Sequence, residues 1–244
     1  MAISDLFIAD LHLCSETPDT VRAFFAFLDG PAREARRLFI LGDLFEYWAG
    51  DDDLDSPFNV QVCERLRHLT EGGIETFFIA GNRDFLIGPA FAERTGIHLI
   101  DEPFPIDVGG RKAILMHGDV LCTDDVAYQA FRAQVRQPAW KAAFLAKPLA
   151  ERKALIAHMR ERSEASKQAT ALEIMDVNGD AVTETFRANT CDLIIHGHTH
   201  RPATHRQEID GKVCERWVLA DWHGNAPCLV VEDDRLRRRD FAPG

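Results

Sequence analysis

The chain has 244 residues, of which 46% are hydrophobic and 27% charged. This composition excludes disorder, collagen and coiled coil, and a chain of this length buries a sizeable core without disulfides. Its 28 Lys and Arg against 39 Asp and Glu leave a net charge of -11. That argues against a nucleic-acid partner, although a negative whole can still hold a positive site.

The N-terminus, Met-Ala-Ile-Ser-Asp, lacks the basic start and apolar stretch of a secretory signal. No run approaches the roughly 20 apolar residues that span a bilayer, so a cytoplasmic location is expected. The six cysteines are scattered with no Cys-x-x-Cys pair, and reduced, mostly buried thiols are expected.

Along the chain, short apolar runs recur with polar residues immediately after them. Leu6 to Ala9 precedes Asp10, Leu38 to Leu41 precedes Gly42-Asp43, and Thr76 to Ala80 precedes Gly81-Asn82. Ala113 to Met116 precedes His117, and Leu193 to Ile195 precedes His196. Runs this short, bounded by Gly or Asp, read as buried strands. Between them, Pro18 to Leu28 and Phe58 to Leu69 carry apolar residues at helical spacing. Alternating strands and helices predict βαβ units around a largely buried sheet, with the ligand crevice at the carboxyl ends of its strands.

From Asp124 to Leu172 the alternation stops, and the pattern is helical without a strand candidate. The stretch reads as an insertion, residues 124–172, within a single domain spanning 1–244. Its apolar stripes, including Trp140, Phe144, Leu155 and Met159, suit plain helix packing or a ligand chamber. Trp217 to Ala220, Cys228 to Val231 and Leu236 to Phe241 read as further strands.

Five strand ends therefore supply Asp10 and His12, Asp43, Asn82, His117, and the pair His198 and His200. Strand alternation would let Asp10/His12 and His198/His200, each at i and i+2, point into one space. Mixed imidazole and carboxylate donors suit Mn²⁺, Fe²⁺, Zn²⁺ or Co²⁺ better than calcium. Seven donors exceed what one tetrahedral ion needs and match two ions sharing a carboxylate.

Asp10-Leu11-His12, Gly42-Asp43-Leu44, Gly81-Asn82-Arg83-Asp84, His117-Gly118-Asp119 and Gly197-His198-Thr199-His200 resemble the ordered signature of the calcineurin-like metallophosphoesterases. The resemblance implies an α/β fold, a four-layer αββα sandwich with a dinuclear centre. By it, Asp10, His12, Asp43 and His200 would bind one ion, and Asp43, Asn82, His117 and His198 the other. Asp43, Asn82, Arg83 and His117 would carry catalysis.

Most of that superfamily has His where this chain has Arg83. Arg donates no proton, since its pKa lies above about 12, but its planar fork clamps phosphate. Such an enzyme suits a leaving group that departs as an anion, as a phosphate monoester does. Pyrophosphate hydrolysis follows as the expected chemistry.

A narrower resemblance rests on the phrases from Gly42 to Asp53, His117 to Phe131, Ile174 to Asn178 and His196 to Pro202. These are similar to the UDP-2,3-diacylglucosamine pyrophosphohydrolase family of lipid A biosynthesis. That family implies Mn²⁺, two ions per chain, and water attack at the α-phosphorus to give UMP and 2,3-diacylglucosamine 1-phosphate. It also implies peripheral association with the cytoplasmic face of the inner membrane, and it turns the insertion into a lid sheltering two acyl chains.

Asn82, Arg83, His198, Asp125, Arg160 and Ser163 match the family's substrate contacts. Lys167 stands where Asn is expected and Thr170 where Lys is expected, so the cation has moved by one helical turn or these contacts differ. Arg235, Arg237, Arg238 and Arg239 form a basic cluster, read as solvated strand residues or as a contact to anionic lipid. No protein partner is expected.

Overall fold

The computed structural model describes residues 3–169 and 176–241, and the side chains of all of these except 161–169. Uninterrupted apolar runs belong to strands covered on both faces, and the packing bears this out. β1 (Ile3–Ile8), α1 (Pro18–Asp29), β2 (Ala35–Ile40), α2 (Pro57–Glu71) and β3 (Glu75–Phe78) alternate as expected. α3 (Pro89–Thr95) and the two-residue β4 (His98–Leu99) follow. A second series comprises β5 (Phe104–Val108), β6 (Arg111–Leu115), α4 (Val126–Val135), α5 (Pro138–Leu145), α6 (Leu149–Ala169), α7 (Gly179–Asn189) and β7 (Leu193–His196). β8 (Thr204–Ile209), β9 (Lys212–Val218), β10 (Ala226–Glu232) and β11 (Arg235–Phe241) close the chain.

The residue pattern alone predicts one sheet, and here it is corrected: the strands form two. Their orders are β11-β10-β1-β2-β3-β4 and β5-β6-β7-β9-β8. Period-two alternation sends each run into two different cores. Leu6, Ile8, Leu38 and Ile40 face a core shared with Phe24 and Phe27 of α1 and Val62 and Leu66 of α2. Their neighbours Phe7, Ala9, Phe39 and Leu41 face Ala113, Leu115, Leu193 and Ile195 of the other sheet. On that sheet's far side, Ile114 and Ile194 pack against Val182 and Phe186 of α7. Helix, sheet, sheet and helix are the four layers of the expected sandwich. Local spacing could not assign strands to sheets, because runs buried on both faces look alike wherever they pack.

Phe7, Phe39 and Phe77 stack between the sheets with ring centroids 5.2 and 4.9 Å apart. Cys63, Cys122, Cys214 and Cys228 are buried, and Cys14 and Cys191 are partly buried.

The segment that breaks the alternation folds as α4, α5 and α6, with no strand among its described residues. Basic side chains tie it to loops that follow strands. Arg136 donates to the Gly81 carbonyl at 2.9 Å and Lys141 to the Phe85 carbonyl at 2.9 Å. Arg132 bonds Asp119 and Glu102, and the Arg152 guanidinium, 1% exposed, bonds the Ala49 carbonyl and Asp52. Phe144 enters the first core, and its ring stacks on Trp140 with centroids 4.8 Å apart.

Candidate metal centre

β1, β2 and β3 run parallel in one sheet, as do β6 and β7 in the other, so their carboxyl ends open at the same edge of the sandwich. The seven predicted donors lie on the loops that leave these five strands. Period-two alternation is not what aims them, and that expectation is corrected. β1 ends at Ile8 and β7 at His196, and Asp10, His12, Asp43, His198 and His200 all have positive φ, between 49° and 68°. A non-glycine residue in this left-handed region costs on the order of 1–3 kcal/mol, and such strain persists only where the surroundings over-determine it. Here Asp10 N–H donates to the Gly42 carbonyl at 3.1 Å, His12 N–H to the Asp43 carbonyl at 3.0 Å, and Gly197 N–H to the His117 carbonyl at 2.9 Å. The loops therefore hold one another in the strained geometry that turns the donors inward.

Close approach explains the glycines between them. A Cβ at Gly81 would stand 2.1 Å from Asp43 Oδ1. At Gly42, where φ is +91°, it would stand 2.5 Å from His117 Nδ1. Asp84 organises both loops: its buried carboxylate accepts from the backbone N–H groups of Asp43, Leu44, Phe45 and Gly81. Burial and the neighbouring Asp43 carboxylate push its pKa up to about 7.

Two clusters of donor atoms meet: Asp10 with His12 and His200, and Asp10 with Asp43 and His117, each within 4.8 Å. Asn82 joins the second through its side-chain oxygen, 2.9 Å from both His117 Nε2 and His198 Nδ1. In the first, His12 Nε2 and His200 Nε2 lie 3.3 Å apart. The opposite ring nitrogens face carboxylates, with His12 Nδ1 3.1 Å from Glu46 and His200 Nδ1 3.2 Å from Asp221. The two Nε2 atoms face each other beside Asp10, with His200 Nε2 3.5 Å from Asp10 Oδ1. Asp10 Oδ1 is also fully buried with no hydrogen-bond partner, so the residues present fit a divalent cation bound among them.

The electrostatics agree. Burial would push the His117 pKa down, but Asp43, Asp119, Asp10 and Glu102 raise it to about 9. The site is an anionic well that draws cations. His198 moves the other way, to about 4, through burial and the neighbouring His117.

Arg83 is half-buried and lies 3.7 Å from Glu46, while its backbone N–H donates to Asp43 Oδ1 at 2.8 Å. Arg160 of α6 also bonds Glu46, so the structure brings both predicted guanidiniums to one carboxylate. Asp125 accepts from Tyr128 N–H at 2.9 Å and caps α4. The side chains of Ser163 and Lys167, and Thr170 entirely, lie outside the described residues, as does the proposed one-turn shift of the cation. Buried His196 donates from Nδ1 to the Gly197 carbonyl and accepts from Arg216 at Nε2. Burial and Arg216 hold its pKa down to about 3, so it is a neutral packing residue.

Sequence reading passed over Glu46, Asp221 and Asp119. Asp221 follows Leu219-Ala220 just beyond β9, a sixth strand end with the same apolar-then-polar signal as the other five. Asp119 accepts from the Tyr128 hydroxyl at 2.6 Å and from Arg132 at 2.8 Å, and the Tyr128 ring stacks on His198. Burial opposes its ionisation, yet His117 and Arg132 hold its pKa well below the usual carboxylate range.

Comparison with known proteins agrees with this geometry. The sequence model described as "Calcineurin-like phosphoesterase" matches residues 6–202. A protein of Aromatoleum aromaticum called UDP-2,3-diacylglucosamine hydrolase is 55% identical over 227 residues, 93% of this chain and 92% of that one. Proteins of the same name from Cellvibrio japonicus and Escherichia coli O81 are 49% and 44% identical, each over 98% of this chain and 99% of theirs.

Proposed function

The chain belongs to the calcineurin-like phosphoesterase family and is a hydrolase, and from that premise we propose that it cleaves the pyrophosphate bond of UDP-2,3-diacylglucosamine in lipid A biosynthesis. The products are UMP and 2,3-diacylglucosamine 1-phosphate, formed by attack of water at the α-phosphorus. The observation that carries this reading is the convergence of Asp10, His12, Asp43, Asn82, His117, His198 and His200 at one edge of the sandwich, beside two arginines.

In this reading Asp10, His12, Asp43 and His200 would hold one Mn²⁺ and Asp43, Asn82, His117 and His198 the other. Bound there, the two ions would lower the pKa of the attacking water and neutralise charge on the reacting phosphoryl group. Arg83, with Arg160, grips the diphosphate and receives the departing sugar phosphate as an anion, for which no proton need be donated. Asn82 and His198 face the same space, and Asp125, Ser163, Lys167 and Thr170 complete the substrate contacts.

α4 to α6 form a lid within the single domain. Trp140, Ala143, Phe144, Lys147, Leu155 and Met159 line a cleft of about 300 Å³ there, and this apolar space supports a chamber for acyl chains over plain helix packing. Trp140→Ala is expected to raise KM for the diacyl substrate by about 10-fold or more, the worth of one large apolar contact, and to leave a short-chain analogue within twofold. Equal changes on both substrates would return the cleft to a packing role.

No helix among the described residues is long and apolar enough to cross a membrane. We assign peripheral attachment to the cytoplasmic face of the inner membrane on the strength of the acyl substrate. The basic cluster on β11 adds little to it, since Arg237 and Arg239 pair with Glu232 and Arg238 bonds the Val218 and Ala203 carbonyls.

The test uses protein stripped of metal, UDP-2,3-diacylglucosamine in detergent, and water enriched in oxygen-18. Activity is expected only after Mn²⁺ is restored, with the label in UMP. Label in the sugar phosphate would move the attack to the other phosphorus, and metal-independent cleavage would remove the dinuclear centre.

A further inference from the structure

Glu46 stands where three functions meet. It lies three residues beyond Asp43 on the loop after β2, and a backbone ladder binds that loop to the one carrying His12. Leu13 N–H donates to the Leu44 carbonyl at 2.9 Å and Glu46 N–H to the Leu13 carbonyl at 3.1 Å. The side chain is 16% exposed, and its two oxygens divide their partners. Oε2 lies 3.1 Å from His12 Nδ1, while Oε1 accepts from Arg160 and lies 3.7 Å from Arg83 Nη1. The Arg160 guanidinium also sits over the ring of the next residue, Tyr47, 5.8 Å from its centroid.

An exposed ion pair contributes little, but this carboxylate is mostly enclosed and each oxygen has a separate task. Without the carboxylate beside Nδ1, the His12 ring loses its close neighbour on that side and is free to turn Nε2 away from His200 and Asp10. Without a negative charge between them, the Arg83 and Arg160 guanidiniums repel and separate.

We propose that Glu46 is a positioning residue that fixes His12 through one oxygen and holds Arg83 and Arg160 together through the other, so that one side chain couples the metal ligand to the phosphate grip and to α6. This deepens the dinuclear pyrophosphohydrolase reading and rests on it. Glu46 touches neither the reacting atoms nor the ions in this role.

Two variants separate the halves, because Gln keeps a polar oxygen beside His12 Nδ1 and loses the charge between the arginines. Mn²⁺ binding to the metal-stripped full chain is followed by titration calorimetry, and kcat and KM are measured with UDP-2,3-diacylglucosamine. E46A is expected to weaken one of two Mn²⁺ equivalents by about 10–100-fold, the usual effect of removing the partner of a metal-ligating His. E46Q is expected to bind both within threefold of wild type. KM should rise about 10-fold in both variants, with kcat of E46Q within threefold of wild type, as tenfold is the scale of a single lost charged contact.

A wild-type Mn²⁺ isotherm for E46A, or an E46Q isotherm as weak as that of E46A, overturns the positioning of His12, the second because loss of charge alone would then explain both. An unchanged or lowered KM in E46Q overturns the role toward the arginines. Should E46A fail to fold, E46Q alone decides, through retained Mn²⁺ binding with a raised KM. Wild-type protein that binds Mn²⁺ but leaves the lipid nucleotide intact defeats the substrate reading, and the isotherms still decide for His12.

Discussion

Asn82→Ala is expected to lower kcat by about 100-fold or more, with a urea unfolding midpoint close to that of wild type. Removing a group that merely supports a ligand costs about 10–100-fold, so losing a donor costs at least as much. The Asn82 oxygen lies 2.9 Å from both His117 Nε2 and His198 Nδ1, and its loss leaves two imidazoles facing a gap in the half of the site that carries no other amide. Little stability should go with it, because the residue is only partly buried and its side-chain contacts run to site residues. Steady-state rates and a urea titration on the same preparation check both halves. Turnover within threefold of wild type would take Asn82 out of the centre, and a large loss of stability would make its role structural.

The five strand ends that carry the candidate ligands were legible because the stretch of each strand next to the site is apolar up to or just short of the point where it leaves the sheet. In Phe7-Ile8-Ala9-Asp10 and Ile194-Ile195-His196-Gly197-His198 the first polar groups mark where the chain turns toward the site. How those groups converge was not legible, since a left-handed Asp or His has no sequence signature of its own, unlike glycine. Edge elements were missed for a related reason. β8, Thr-His-Arg-Gln-Glu-Ile, lies at the edge of its sheet with mostly exposed residues, so it carries no apolar run. β5 begins Phe-Pro and alternates exposed with partly buried residues at the opposite edge. α7 buries only Val182 and Phe186, too few for a helical period to stand out. Glu46 lies within the stretch from Gly42 to Asp53 that carries the family resemblance, but its three partners come from distant parts of the chain, at His12, Arg83 and Arg160.

Asp84→Ala tests whether the strain at the site is held by the loops themselves. The Asp84 carboxylate is fully buried and accepts from Leu44 N–H at 2.7 Å and Gly81 N–H at 2.9 Å, with Asp43 and Phe45 N–H groups at 3.3 and 3.4 Å. Deleting it strands these donors in a space that a methyl group cannot satisfy. Each unsatisfied buried donor costs about 1–3 kcal/mol, and relaxation of the loops recovers part of that, so a loss of about 3–5 kcal/mol is expected in urea unfolding. Asp84→Asn keeps one acceptor oxygen in the same shape and should lose roughly half as much. Activity should fall further than stability in both variants. Asp43, at φ 53°, depends on this carboxylate to hold its backbone, and its own carboxylate lies 3.9 Å from His12 and 3.8 Å from His117. If Asp84→Ala unfolds like wild type, the left-handed turns at Asp43 and its neighbours are held from elsewhere. If it is destabilised yet fully active, the donor geometry survives without the loop network, and the strain is not what aims the ligands.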